Sequence, residues 1–324
     1  MGLGDGTTAA PPERYKGYSL LDSGTCLTAF PLTRRKFLKV AAASIAAAGA
    51  VTVGSDAIFR EPNHPRLERV EVLLQKLPAR LDGFTIAQLS DFHYDPHFTA
   101  SPIEAAVNIV NGLNPDLAVL CGDYVTAPLL GARRGWLRAA EAADPCARLL
   151  GRLRTRLGVV AVLGNHDAFT DPGHVTRALE VEGIRVLRNQ SIPIEHDGAS
   201  FWLAGVNAVL GGGANIHEAL RGVPGSKAVV LLCHEPDFAD KVARFGVDLQ
   251  LSGHSHGGQV RLPLVGPLYL PPLARKYPWG LRRIGPMLLY TNCGIGTIRI
   301  PVRWNCPPEI TVFTLRSPAV SYSS

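Results

Sequence analysis

A chain of 324 residues, 46% hydrophobic and 19% charged, is long enough for a full-sized core and too apolar to be a disordered one. Its net charge is +6, but residues 1–55 alone carry six basic against three acidic residues, which is half of that excess. No concentrated basic stripe is left in the body, so nucleic acid is not expected as a partner.

Residues 1–32, rich in Gly, Pro and Thr, read as a disordered leader. Thr33-Arg34-Arg35-Lys36-Phe37-Leu38-Lys39 then precedes an uncharged, alanine-rich run from Val40 to Gly54. A basic patch before a modest apolar segment is the pattern of a bacterial export signal with paired arginines, here over residues 33–57. The run looks shorter and less apolar than the roughly twenty residues a membrane-spanning helix wants. Export by the twin-arginine machinery is therefore the expectation, to the outer face of the cytoplasmic membrane. Cleavage near Ser55-Asp56-Ala57 and retention as an anchor are both open.

The body, expected over residues 66–317, alternates strands and helices. A strand is predicted over 69–75, then Phe84–Leu89, a helix over 102–111 with Ser101 as N-cap and Pro102 first, and a buried strand Leu117–Cys121. Residues 136–157 read as helical, interrupted by Pro145, and Gly158–Leu163 is an apolar strand. Gly173–Glu182 and Ile216–Leu220 are predicted helices; 184–187, 200–207, 227–233 and 247–251 are strands. Pro236 opens a helix toward Phe245, and strands over 286–291 and 309–315 close the chain. This order suits an α/β fold, on the α+β boundary, of two mixed sheets packed face to face and flanked by helices. There is no Gly-x-Gly-x-x-Gly after a strand and no phosphate-binding Gly-Lys loop, which excludes dinucleotide and P-loop proteins.

Five apolar strands end in polar groups: Asp91 and His93, Asp123, Asn165 and His166, His234, and His254 with His256. Open α/β sheets place ligands at such carboxyl ends. Carboxylate, imidazole and amide oxygen together suit two divalent cations, manganese first, with iron or zinc as alternatives. The six cysteines form no close-spaced metal or redox motif; Cys121 and Cys233 read as small buried thiols, and a Cys293–Cys306 bridge is left open.

In order, Asp91-Phe92-His93, Gly122-Asp123, Gly164-Asn165-His166-Asp167, His234 and Gly253-His254-Ser255-His256 resemble the full signature of calcineurin-like metallophosphoesterases, over residues 84–259. The resemblance implies a four-layer sandwich and a two-metal centre. Asp91, His93 and His256 resemble ligands of the first ion, Asn165, His234 and His254 those of the second, and Asp123 the bridging carboxylate. His166 resembles the catalytic histidine beside the leaving group, with Asp167 expected to orient it. A bridging carboxylate would hold two cations about 3.5 Å apart, and the implied reaction is attack of a metal-bound hydroxide on phosphorus. Asp95 and Glu235 are left as solvated or supporting groups, Gln259 as a residue that shapes the loop, and Tyr124 as a pocket or packing aromatic.

Residues 262–283 form an apolar, proline-broken stretch followed by Arg275-Lys276-Tyr277-Pro278-Trp279. Such a stretch suits a phosphorylated lipid and a membrane surface, or else folds against the second sheet. With Tyr290-Thr-Asn-Cys-Gly-Ile-Gly296 and Pro308-Glu309-Ile310 it is similar to a branch of twin-arginine-exported or membrane-anchored phosphodiesterases related to UDP-2,3-diacylglucosamine pyrophosphatases of lipid A synthesis. The expected function is hydrolysis of a phosphodiester or pyrophosphate bond, with a lipid as substrate. The alternatives are that pyrophosphatase activity itself, a broad phosphomonoesterase or protein phosphatase, and a non-catalytic exported metal-binding protein, which would need a broken ligand set.

Overall fold

Short apolar β-branched runs bounded by polar turns are the material of buried parallel strands, and the computed structural model, which describes residues 33–130 and 133–318, places them so. The leader expected over 1–32 lies outside the described residues. Two units separate along the chain, residues 1–49 and residues 50–324.

Helix α1 spans Arg34–Ser55 and has no buried residue. Helical turns continue it to Asn63, and the whole stretch is long and apolar enough to cross a membrane by length and composition. This corrects the expectation of too short a run. Alanine propensity carries the helix through Gly49 and Gly54.

In the second unit the strands are β1 (Arg66–Leu73), β2 (Thr85–Leu89), β3 (Leu117–Leu120), β4 (Val159–Ala161), β5 (Arg185–Val186), β6 (Gln190–His196), β7 (Ala199–Gly205), β8 (Val229–Leu232), β9 (Leu249–Ser252), β10 (Arg261–Leu262), β11 (Gly266–Pro267), β12 (Gly280–Ile284), β13 (Met287–Thr291) and β14 (Glu309–Arg316). The helices are α2 (Ala100–Leu113), α3 (Arg133–Ala140), α4 (Ala143–Leu150), α5 (Asn165–Phe169), α6 (Pro172–Val181), α7 (Ile216–Ala219) and α8 (Ala239–Val242). One sheet has the order β1-β14-β2-β3-β4-β5, the other β12-β13-β9-β8-β7-β6, and β10 with β11 forms a small hairpin.

Alternation along each strand sorts its side chains into layers. Ile86, Val119 and Val160 of the first sheet meet Phe201, Val230, Leu232 and Leu251 of the second in one core. Ala87, Leu120 and Ala161 face outward under α2, α4 and α6. Leu231 and Val229 lie under α7 and α8 on the far side. The result is the helix–sheet–sheet–helix sandwich that was expected.

Several boundaries differ from the sequence reading. Helix α2 begins at Ala100, because the Thr99 hydroxyl is already engaged with the Asp95 N–H and the His93 carbonyl; Ser101 is no cap and Pro102 is third. The break in the following helical region falls at residues 141–142, and Pro145 sits in the first turn of α4, where a missing N–H costs nothing. Strands β6 and β12 were not foreseen. Pro193 lies within β6, which is an edge strand, where proline is tolerated.

Near the end of the chain, Arg303 is fully buried. Its guanidinium donates to the carbonyls of Cys293, Gly294, Gly296, Cys306 and Pro307 at 2.6–3.5 Å, and so folds the segment after β13 into one knot. Arg303→Met should leave these buried acceptors unpaired and lower unfolding free energy by about 3 kcal/mol or more. Urea denaturation of the purified variant checks this.

Candidate metal centre

Strands β2, β3 and β4 run parallel in one sheet, and β8 and β9 in the other. Beyond their carboxyl ends lie Asp91, His93, Asp123, Asn165, His166, His234, His254 and His256, all buried. Below this edge the sheets are tied together: the Gln88 side chain donates to the Ser252 carbonyl at 2.8 Å, and the Cys121 thiol to the Leu251 carbonyl at 3.6 Å.

Asp91, His93, Asp123, His254 and His256 all have positive φ, between 42° and 69°. Left-handed backbone ends the pleat and turns the chain, at a cost of order 1 kcal/mol for each non-glycine residue. Sheet ends alone would not converge so tightly. The two glycines beside them serve close approach: a Cβ on Gly164 would run into the Asp123 carboxylate, and one on Gly253 into Asp91 and Ser90.

Three groups of donors meet here, and two of them share no residue, the third being His93, Asp123 and His166. Asp91, His93 and His256 form one, and Asp123, His234 and His254 the other; within each, ligand atoms lie within 4.8 Å of one another. Asp123 Oδ2 stands between them, 3.5 Å from His93 Nε2 and 3.1 Å from His234 Nε2. Its Oδ1 is held aside by the His166 N–H at 2.9 Å. Asp91 Oδ1 is 3.5 Å from His256 Nε2, while Oδ2 is held by the Ser90 hydroxyl at 2.6 Å. His93 Nε2 and His256 Nε2 face each other at 3.0 Å. Two nitrogens at about 2.1 Å from one ion, at right angles, are about 3 Å apart. Among the described residues Asn165 Oδ1 is buried without a hydrogen-bond partner, and His234 Nε2 meets only the Asp123 carboxylate. An orphaned acceptor amid converging carboxylates and imidazoles is what a cation would satisfy, so these residues fit a divalent metal pair.

The outward ring nitrogens fix the tautomers. His234 Nδ1 lies 2.6 Å from the Cys121 carbonyl and His254 Nε2 2.9 Å from the Pro272 carbonyl. A carbonyl only accepts, so each ring donates there and turns its other nitrogen inward, where it offers a lone pair once the ring is neutral. His93 Nδ1 meets the Thr126 hydroxyl at 3.0 Å. His166 is wired the opposite way. Its Nδ1 accepts from the Ala127 N–H at 2.9 Å, so its proton is on Nε2. Ala127, Thr126 and the two carbonyls gave no sequence signal, because backbone groups and a lone hydroxyl carry no motif.

Asp167 does not do what was expected of it. Its carboxylate accepts from the N–H groups of Gly164, Asp123, Tyr124 and Val125 at 2.8–3.2 Å, capping α5 and shaping the turn after β3. The His166 ring is held by Ala127 instead. Glu235 is buried rather than solvated and accepts from the Val209 and Leu210 N–H groups, while Asp95 caps the His97 turn. Tyr124 is a packed aromatic, stacked on Phe92 at 5.3 Å. Cys293 and Cys306 are both thiols in this structure, Cys306 donating to the His256 carbonyl at 3.2 Å.

A cleft of ≈ 760 Å³ opens over the centre. Asp123, Asn165, His166, His254 and His256 form its floor; Trp136, Phe169, Leu268 and Tyr269 are among its apolar walls. Leu264, Val265, Leu268 and Tyr269 are exposed, whereas Ala274 is buried and Tyr277 packs against the outer core of the second sheet, so only the later part of the 262–283 stretch folds against it.

Burial depresses the His93 and His254 pKa values to about 3, and that of His256 well below 6.5. Burial also opposes charge on His234, but Asp123 and then Asp91 outweigh it and raise its pKa well above 6.5. Burial raises Asp91 to about 6; Asp123 is held well below 3.8 despite burial, by His234 and His166. A raised histidine pKa means that, without cations, His234 keeps its proton at pH 7. Coordination needs the neutral ring, so metal loading should release about one proton from this residue and tighten as pH rises. Calorimetry of Mn²⁺ binding in buffers of different ionisation enthalpy should show that release, and His234→Asn should lose it. Equal release by both proteins would contradict the assignment.

Residues 84–258 match the family described as calcineurin-like phosphoesterase. The chain is 34% identical over 292 residues to the "Uncharacterized metallophosphoesterase YkuE" of Bacillus subtilis, covering 88% of this chain and 98% of that one. It is 31% identical to the phosphodiesterase YaeI of Escherichia coli, over 88% and 99% of the two chains. The UDP-2,3-diacylglucosamine pyrophosphatase LpxG of Chlamydia muridarum is 25% identical over 78% of this chain and 89% of its own.

Proposed function

The chain belongs to the calcineurin-like phosphoesterase family and is a metal-dependent phosphoric ester hydrolase, and we propose that it cleaves a phosphodiester or pyrophosphate bond in a lipid substrate at the centre described above. The observation that carries the catalytic assignment is Asp123 Oδ2, within 3.5 Å of an imidazole from each donor group. Asp91, His93 and His256 would hold one ion, and Asn165, His234 and His254 the other, with Asp123 available to both. Manganese is the first candidate for both. When bound, the pair supplies the positive charge that acidifies water and neutralises phosphate oxygens.

The protein's own groups do the rest. His166, neutral because burial lowers its pKa, presents its Nε2 proton as a donor to charge developing on the leaving oxygen. Asp167 is a positioning residue: it holds the turn that carries Asp123 and the first turn of α5. The apolar walls exclude water and match an acyl chain better than a protein or sugar surface. The lipid reading draws support from these walls and from the substrate named for the chlamydial relative. That same activity, on UDP-2,3-diacylglucosamine, is the second reading. The paired arginines that open α1 and its apolar length support export by the twin-arginine route, with the helix acting as signal or anchor at the outer face of the membrane.

Asp123→Asn and His234→Ala should each abolish Mn²⁺-dependent hydrolysis of bis(4-nitrophenyl) phosphate while circular dichroism stays native; unchanged turnover at equal metal loading would sink the assignment. His166→Ala should slow a substrate with an alkoxide leaving group roughly 10²–10⁴-fold, and a nitrophenolate ester much less, since only the former needs a donor. Steady-state kinetics on the two ester types separates these outcomes.

A further inference from the structure

Arg299 is the only lysine or arginine among the described residues that line the cleft. Its backbone has φ +68°, and the Ile300 N–H donates to the Ile298 carbonyl at 2.7 Å, closing a three-residue turn around it. A γ-turn with positive φ at its centre is rare and strained for a residue with a side chain. Gln259 clamps this turn from outside. Its Oε1 accepts from the Ile298 N–H at 2.9 Å, and its Nε2 donates to the Ile298 and Ile300 carbonyls at 3.3 and 3.0 Å.

Glycine would adopt this turn without penalty. The arginine side chain is exposed, and among the described residues its one hydrogen bond goes to the Ala127 carbonyl at 3.3 Å. No carboxylate among the described residues pairs with it. Ala127 is also the residue whose N–H positions His166, so the guanidinium is held one residue from that ring. Its charge reaches the centre, where it helps to depress His93 and His166. A strained turn, clamped from the side and carrying a cation into an apolar cleft, has no structural purpose that glycine would not serve better.

From this placement we propose that Arg299 is a specificity-determining residue that binds a second phosphoryl group, next to the one held at the metal centre, so that the site selects pyrophosphate-linked substrates over singly charged phosphodiesters. This rests on the phosphoesterase reading above and narrows it. The floor of the cleft supplies donors for one phosphoryl group. Beside it the guanidinium fork matches two oxygens of a neighbouring phosphoryl group, which a lysine ammonium would meet only as a point charge. The apolar walls then take the lipid portion.

The test compares two inhibitors of the Mn²⁺-loaded full chain, in excess Mn²⁺: adenosine monophosphate and α,β-methylene adenosine diphosphate, which differ by one non-hydrolysable phosphoryl group. Wild-type protein should bind the diphosphate analogue about ten- to hundredfold more tightly than the monophosphate, as for one charge-assisted bidentate contact. Arg299→Gly and Arg299→Ala should erase that ratio, and Arg299→Lys should retain part of it. Arg299→Gly should also melt no lower than wild type, since glycine relieves the turn. Calorimetric binding reads the same ratio without turnover, so an enzyme inactive on a simple diester would count against the function proposed above and not against this contact. A wild-type ratio near one, a ratio unchanged in the glycine and alanine variants, or equal loss for both ligands would overturn the assignment.

Discussion

One carboxylate oxygen joins the two halves of this molecule. Asp123 Oδ2 reaches His93, supplied by the first sheet, and His234, supplied by the second. Opposite charges buried this deeply are tolerated only with good geometry and further hydrogen bonds. The surroundings provide both: His166 N–H holds the other oxygen, and the Cys121 carbonyl holds the far side of the His234 ring. The shared core between the sheets and the Gln88 tie to Ser252 set the gap across which these groups meet. Everything chemical in the protein depends on that gap being held.

Rigidity comes from backbone groups as much as from side-chain packing. Asp167 gathers four backbone N–H groups from the turns after β3 and β4. Arg303 does the converse with five carbonyls after β13. The turn that Asp167 gathers includes Asp123, one of five acidic or imidazole residues of the site with left-handed backbone. Strain of this kind persists only where the surroundings over-determine it. The opposed wiring of the histidines adds a chemical distinction that residue type does not carry: neutral rings bonded to carbonyls offer their lone pairs inward, whereas His166, bonded to an N–H, keeps a proton for the cleft.

The cleft is amphiphilic. Its floor is ionic, its walls are aromatic and aliphatic, and Arg299, the one lysine or arginine among its described lining residues, stands at the boundary. Exposed Leu264, Val265 and Tyr269 continue the apolar surface outward. The chain also carries an N-terminal helix long and apolar enough to cross a membrane by length and composition.

The sequence by itself determined the sandwich and the identity of the candidate ligands, because both follow from local pattern: apolar runs of strand length, each ending in a polar group at a glycine turn. It also marked the loop after Gln259 as special. What it left undecided are relations between distant residues. The role of Asp167 was misassigned, since adjacency to His166 in the chain says nothing about which N–H groups its oxygens find. Ala127, Pro272 and Cys121 act through their backbone, which has no residue signature. Strand β6 was hidden by Pro193, acceptable only because that strand lies at an edge. Arg299 is an ordinary arginine until tertiary structure puts it at the apex of a strained turn beside His166. Periodicity reports which face of an element is buried; only the packed sheets decide which side chains, protons and charges share one cavity.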